Sequence, residues 1–156
     1  MLFGEDMAAF FRSGISVTVV SRNALLTPSI ARAKGCRLIQ GTPARIRVFI
    51  SVAHAGDCLD DIRASGMVSA ALSRPNTHRS VQFKGSDARI VELTSEDRAA
   101  LVAAEAAFIA VIDPLGFAPS FTRAFLESPD DEVAIEFTPT DAFQQTPGPG
   151  AGARIS

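Results

Sequence analysis

The feature that most constrains the fold is a series of short segments rich in β-branched residues. Segments 15–21, 28–39 and 45–52 alternate apolar and polar residues, as half-buried strands do. Only a few residues separate one segment from the next. Parallel pairing requires a crossover of about a dozen residues or more, so these three segments are predicted to pair as an antiparallel meander.

Three further strands are predicted later in the chain, at 67–73, 78–93 and 131–139. The second of them is long and contains Gly85, where a bend is expected because glycine weakens a strand interior. Pro75, in the link between the first two, favours a turn.

Helices are predicted between and beside these strands, over 5–12, 54–65, 94–112 and 119–128. The second stops before Gly66, which is a common C-terminal signal. The third starts at Thr94 with Asp97 three residues later, a variant of the capping box. Its buried stripe is predicted to contain Leu101, Val102, Phe108 and Ile109.

Six short strands with three or four helices in 156 residues indicate one mainly β (α+β) domain. Closing or splitting a barrel removes the exposed strand edges that an open six-stranded sheet would leave. We therefore predict a six-stranded antiparallel split β-barrel with flanking helices over residues 1–140. Residues 141–156 are rich in Pro and Gly and are expected to form a flexible tail.

Charge and cysteine content narrow the class of function. Fifteen basic and 17 acidic residues give a net charge of −2, so the composition does not predict nucleic-acid binding. The two cysteines form no CxxC or Cys/His cluster, and no metal site is predicted. The longest apolar run is interrupted by charge and proline, and the N-terminal segment carries acid where an export signal carries base. A cytoplasmic protein with no membrane contact is expected.

Two strands carry alternating polar side chains that suit a binding site. In residues 78–85 the alternation places Ser80 and Gln82 on one face and Val81 and Phe83 on the other. In segment 28–39, cationic side chains alternate with Ala and Gly, which allow a flat ligand to come close. A solvated surface and a ligand site both fit this pattern.

The segments RSVQFKG (79–85), PSIARAKGCR (28–37) and VFISVAHAGDCLDDIRASGMVSAAL (48–72) resemble the pyridoxamine 5'-phosphate oxidase-like family of FMN-binding split barrels. The order of elements agrees over about residues 10–137. The resemblance implies a homodimer with FMN at the subunit interface, acting as an oxidoreductase in which the flavin supplies the chemistry. It identifies no catalytic side chain and no substrate.

The resemblance also implies a set of flavin-contacting positions: Arg32, Ala33, Lys34, Arg37, Ile50, Ser51, Ser80 and Gln82. Lys34 and Arg37 are expected to neutralise the flavin phosphate, which carries about −1.5 to −2 charge. Ser80 and Gln82 are expected to hydrogen-bond the ring and tune its electronics.

Two departures from the family pattern exclude pyridoxamine-phosphate oxidation as the activity. The family's phosphate-binding Arg-Lys pair is replaced by His54-Ala55-Gly56-Asp57, in which Asp57 has the wrong sign. The family's substrate-reading C-terminal segment with Trp and Arg is replaced by a PGPGAG tail. The alternative function is a non-enzymatic split-barrel dimer that binds another ligand, such as haem or a small anionic metabolite.

Overall fold

The computed structural model describes residues 3–156, which form nine short strands and four α-helices. The strands are β1 (Ser16–Arg22), β2 (Pro28–Ala33), β3 (Gly35–Ile39), β4 (Arg45–Ser51), β5 (Val68–Ser73), β6 (Ser80–Gly85), β7 (Arg89–Val91), β8 (Glu132–Phe137) and β9 (Asp141–Gln144). The helices are α1 (Glu5–Phe11), α2 (Cys58–Ser65), α3 (Ser95–Ile112) and α4 (Pro119–Leu126).

The strands form two antiparallel sheets. One has five strands in the order β2-β1-β5-β6-β9, and the other has four in the order β3-β4-β8-β7. The predicted mainly β class with flanking helices is confirmed, and the arrangement is consistent with a split barrel. The predicted count of six strands is wrong, because two predicted strands each divide and a ninth strand forms near the C-terminus.

Both divided strands bend where the chain passes from one sheet to the other. Segment 28–39 breaks at Lys34, so that β2 pairs with β1 while β3 pairs with β4. Segment 78–93 breaks after Gly85, near the expected bend, so that β6 and β7 lie in different sheets. A Cβ on Gly85 would lie 2.7 Å from the Phe137 ring, so only glycine fits this corner without displacing its neighbours.

The C-terminal segment is more ordered than a fraying tail. Residues Asp141–Gln144 form β9, which pairs with β6. The following residues turn back, and the Ile155 N–H donates to the Ala142 carbonyl at 2.8 Å. Residues 141–156 thus supply a strand to the five-stranded sheet. The division of the chain into a domain over residues 1–140 and a tail over residues 141–156 stays a prediction.

The main core lies between the two sheets. Val19 and Phe83 from the five-stranded sheet and Val48 and Ile135 from the four-stranded sheet are fully buried there. Alternation along each strand then places the intervening side chains on the outer faces. The predicted placement of Val81 and Phe83 on the face opposite Ser80 and Gln82 agrees with the burial pattern, since Val81 and Phe83 are 2% and 0% exposed.

Helix α3 covers part of the outer face of the four-stranded sheet. Leu101 of the helix packs with Phe49 and Ala134 of the sheet in a second, smaller core. A Cβ on Gly35 would lie 2.7 Å from the Ala104 Cβ, so this glycine allows the close approach of helix and strand. The predicted place of Val102 in the buried stripe is wrong, since 70% of it is exposed.

Two further helix predictions are tested by the structure. Thr94 and Asp97 form the predicted capping box at the start of α3. The helix predicted from residue 54 begins only at Cys58, because residues Val52–His54 form a separate 3-10 turn. Among residues 3–156, no helix has both the length and the apolar character needed to cross a membrane.

Candidate functional site

The outer face of the five-stranded sheet brings several predicted site residues into one surface, which we call the open face. Its central row runs across four strands in register, from Arg32 to Thr18, Ala71 and Gln82. Neighbouring strands are about 4.8 Å apart, so the backbones of Arg32 and Gln82, three strand spacings apart, are separated by about 14 Å. Ala71, in the middle of this row, is exposed, which shows that no helix covers the centre of the face.

Small side chains form the floor of the open face. Ser16, Ser73 and Ser80 form the row on one side of the central row, with Thr18 and Ala71 beside them. Side chains of this size leave a flat surface on which a planar ligand or a second sheet can lie closely.

The two predicted ring-binding residues on this face already have hydrogen-bond partners. Ser80 Oγ lies 2.7 Å from Ser73 Oγ, and the side-chain amide of Gln82 donates to Ser69 Oγ at 2.8 Å. Gln82 Oε1 also accepts from the side-chain amide of Gln145 at 3.0 Å. These contacts fix the orientation of both side chains before any ligand arrives.

Arg32 lies at the β2 edge of the open face and contacts aromatic rings. Its guanidinium carbon is 5.4 Å from the centre of the Phe108 ring and 5.0 Å from that of Phe125. Burial against these rings lowers the pKa of Arg32 from its ordinary value, but an arginine remains charged at neutral pH. The charge of Arg32 is therefore held at the edge of the face by cation–π contacts rather than by a carboxylate.

Lys34, predicted to bind the flavin phosphate, is enclosed by acids of the same chain. Its Nζ lies 2.7 Å from Glu132 and 3.0 Å from Glu105, and it donates to Ser128 Oγ at 2.8 Å. Burial lowers the pKa of this lysine, but the two carboxylates outweigh that effect and raise it overall. The ammonium group thus ties the bend between β2 and β3 to α3 and β8.

The predicted contacts on β4 and at the end of β2 are also covered by the chain itself. Ile50 and Ala33 belong to the main core, with exposures of 0% and 4%. Ser51 is 1% exposed and donates to Asp131 at 2.6 Å, while the other oxygen of Asp131 accepts from the Ala53 N–H at 2.7 Å. The Ser51 hydrogen bond is the main reason that the pKa of Asp131 is lowered.

Arg37 lies on the other sheet. It follows the break at Lys34, points to the outer face of the four-stranded sheet and donates to Asp97 at 2.8 Å. Burial raises the pKa of Asp97, but hydrogen bonds from Thr94 and Arg47 outweigh it and lower the pKa overall. A continuous strand would have placed Arg32 and Arg37 on opposite faces. The bend shifts the alternation, so both residues lie on outer faces, but of different sheets.

Cys36, the neighbour of Arg37, lines a cavity of about 360 Å³ between α1, β3 and α3. Its walls are mostly apolar, with Phe11, Ile15 and Leu38 among the lining residues. Burial strongly raises the pKa of the Cys36 thiol. Because the thiolate is the reactive form, Cys36 acts as a small core residue and not as a nucleophile.

Three of the eight predicted residues therefore share one surface, namely Arg32, Ser80 and Gln82. The other five are buried, paired within the chain or on the other sheet. Within one chain, the eight predicted residues do not share one surface, and their role in flavin binding stays a prediction. Sequence reasoning missed the floor residues Thr18, Ala71 and Ser73, for which the only signal is a succession of small side chains on the strands.

Comparisons with known proteins place this fold in a known class. No family model matches the chain, and a search of curated proteins found no significant match. Solved structures match over almost the whole chain. HupZ of Group A Streptococcus superimposes with a TM-score of 0.58 at 13% identity, covering 97% of this chain and 98% of that one.

Two further structures have similar scores. A pyridoxamine 5'-phosphate oxidase-related, FMN-binding protein of Nostoc punctiforme has a TM-score of 0.51 at 13% identity, covering 96% of this chain and 89% of that one. An F420 reductase has a TM-score of 0.52 at 15% identity, covering 90% and 98%. The chain thus has the fold of the pyridoxamine 5'-phosphate oxidase-related proteins, which confirms at the level of the fold the resemblance found in the sequence.

Proposed function

We propose that this chain is an FMN-binding, oxidoreductase-like protein that works as a homodimer. The flavin ring lies against the open face and is covered by the second subunit. The observation that carries the proposal is the row from Arg32 through Thr18 and Ala71 to Gln82, where a flat floor of small side chains lies between polar groups.

The residues of the open face fit the chemical groups of a flavin nucleotide. Ser80 and Gln82 present hydroxyl and amide groups suited to the polar edge of the ring. Arg32 and Lys84 are exposed cations of the face, and they are suited to the phosphate group of FMN. When bound, FMN supplies the redox chemistry, while the protein orients it and tunes its potential through these hydrogen bonds.

The shape of the face supports the presence of a second subunit. A ligand site normally encloses most of the ligand surface, whereas a flat sheet contacts a planar ring on one side only. Closely packed sheets need small, complementary side chains, which Ser16, Thr18 and Ala71 supply. Two exposed apolar residues lie near Arg32: Ile30, two residues earlier on β2, and Phe125, whose ring Arg32 contacts. The same partner would cover both.

The proposal is tested by FMN titration and by oligomeric state. We expect the purified protein to be a dimer that quenches FMN fluorescence, and Arg32→Ala and Gln82→Ala each to weaken binding by at least about tenfold. The matched control is Arg98→Ala, since Arg98 is exposed on α3 and belongs to neither sheet face. A monomeric protein, or equal affinity in all four proteins, would contradict the proposal.

A second candidate function is a non-enzymatic dimer that binds another planar or anionic ligand on the same face. The observation that favours it is the enclosure of Lys34 and Ser51 by Glu132 and Asp131, which removes two of the predicted flavin contacts.

The absorption spectrum separates the two candidates. The chain has no Trp and no Tyr, so a bound chromophore dominates its near-ultraviolet and visible absorption. Flavin bands at about equal amounts of FMN and protein would support the first candidate. A Soret band on adding haem, with no response to FMN, would support the second and overturn the first.

A further inference from the structure

A second set of polar residues lies on the outer face of the four-stranded sheet, and none of them belongs to the open face. Its members pair in register or share hydrogen bonds, and we call them the charged row: Arg37, Arg45, Arg47, Arg89, Asp97 and Glu136. Four guanidiniums and two carboxylates give this group a surplus of two positive charges. Such a surplus, brought together by the fold, favours the binding of an anion.

Most of the surplus gathers around one buried carboxylate. Glu136 is 2% exposed, and its Oε2 accepts from Arg47 Nε at 2.7 Å. Its Oε1 accepts from Arg45 Nη1 at 3.3 Å and from Arg89 Nε at 3.1 Å. Because Arg45 and Arg89 bind the same oxygen, their guanidiniums lie side by side.

Arg45 and Arg89 border a groove of about 620 Å³. The opposite side of the groove is formed by residues 40–43 and by Thr138. The two arginines are the most accessible of the charged row, with side-chain exposures of 45% and 63%. Each guanidinium has five N–H donors, and the bonds to Glu136 leave several of them unused among residues 3–156.

One further acid borders the groove. Asp87 accepts from the backbone N–H of Thr138 at 2.8 Å through its Oδ1. The charged residues that line the groove are therefore two cations, Arg45 and Arg89, and two carboxylates, Asp87 and Glu136. Glu136 is only 2% exposed, whereas the unused N–H donors of Arg45 and Arg89 are accessible to a ligand that brings negative oxygens.

We propose that the groove between Arg45 and Arg89 binds the phosphate group of a small phosphorylated ligand. A phosphate monoester carries about −1.5 to −2 charge and three strong acceptor oxygens. Its oxygens accept bonds from two neighbouring guanidiniums at once, which is the geometry that arginine pairs favour. The site shares no residue with the open face, so it does not depend on flavin binding.

Calorimetric titration with inorganic phosphate, at constant ionic strength in sodium chloride, tests the proposal. We expect saturable binding of one phosphate per chain, weakened at least about tenfold in Arg89→Ala and in Arg45→Ala. The use of two variants protects the test against the misfolding of one. Arg63→Ala is the matched control, because Arg63 is exposed and paired only with Asp60 among residues 3–156.

Each alternative result overturns the proposal in a recognisable way. If titration with phosphate gave no more heat than titration with sodium chloride, the groove would not bind phosphate. Equal loss of binding in Arg63→Ala would mean that phosphate associates with surface charge in general. Acetate binding as tightly as phosphate would show a carboxylate site instead. Because the probe is inorganic phosphate, none of these results bears on whether FMN binds the open face.

Discussion

The two sheets of this protein each present a row of side chains on the outer face, and the two rows differ in chemistry. On the five-stranded sheet, the row of Arg32, Thr18, Ala71 and Gln82 is small in the centre and open to solvent. On the four-stranded sheet, the charged row is connected by hydrogen bonds and closed on one side by α3 through Asp97. The first row is a flat, open surface, whereas the second is held together by its own ion pairs and has accessible N–H donors at Arg45 and Arg89.

This difference shows how a helix changes the role of polar residues on a sheet. Asp97 lies in the first turn of α3 and is fully buried, so its charge is compensated by Arg37, Arg47 and the Thr94 N–H. Charges taken from water in this way must be paired, and breaking one pair is costly. On the open face, Ser80 and Gln82 are held by neutral hydrogen bonds and remain partly exposed to water, so no buried charge has to be compensated there.

Among the substitutions that test this difference between the two sheets, replacing Glu136 is expected to have the largest effect on stability. Glu136→Gln leaves the shape of the side chain but removes the charge that holds Arg45, Arg47 and Arg89. We expect the free energy of unfolding to fall by about 3–5 kcal/mol, as when one partner of a buried pair is removed. Urea unfolding measures this loss.

The matched control for Glu136→Gln is Asp60→Asn, since Asp60 pairs with Arg63 at the surface and its side chain is 82% exposed. Exposed pairs contribute about 0–1 kcal/mol, so this variant should be close to the wild type. If both variants lost the same stability, the charged row would be no more structural than a surface pair.

Acid should reproduce part of this effect without any substitution. Burial raises the pKa of Glu136, but bonds from Arg89 and Arg47 outweigh it, so the folded-state pKa is lowered, as it is for Asp97. A depressed carboxyl pKa contributes stability above the unfolded-state pKa and loses it as pH falls through the folded-state value.

We therefore expect the free energy of unfolding to decrease steadily below about pH 5. In Glu136→Gln the decrease should be smaller, because one of the responsible carboxyls is absent. An identical pH dependence in wild type and variant would mean that other acids, such as Glu132 beside Lys34, account for the loss.

The sequence predicted which residues lie on which side of most strands, and the reason is local. Val81 and Phe83 alternate with Ser80 and Gln82, and burial follows that alternation directly. The capping box of Thr94 and Asp97 was predictable for the same reason, because it depends on residues three positions apart. A resemblance in element order was enough to identify the fold.

The partners of the predicted site residues were not predictable, because they come from distant parts of the chain. Lys34 binds Glu132, 98 residues further along the chain, and Ser51 binds Asp131, 80 residues further along. The break at Lys34 also shifts the alternation, so Arg37 lies on the outer face of the other sheet and not on the inner face that a continuous strand predicts. No pattern within segment 28–39 indicates this bend, because Lys34 and Gly35 fit a continuous strand as well.

The smallest effect on stability is expected at the centre of the open face, and it is the most informative about function. Ala71→Glu adds a charge at an exposed position between Thr18 and Gln82. Exposed substitutions usually change the free energy of unfolding by no more than about 0.5 kcal/mol, so the monomer should remain folded.

A second subunit packed on this face would meet an unpaired buried charge, which should dissociate the dimer and abolish FMN binding. Sedimentation and urea unfolding on the same samples measure both quantities, with Ala99→Glu on α3 as the control that should keep the dimer. If Ala71→Glu remained a dimer with unchanged FMN affinity, the open face would be ordinary solvated surface, and its contrast with the charged row would concern stability alone.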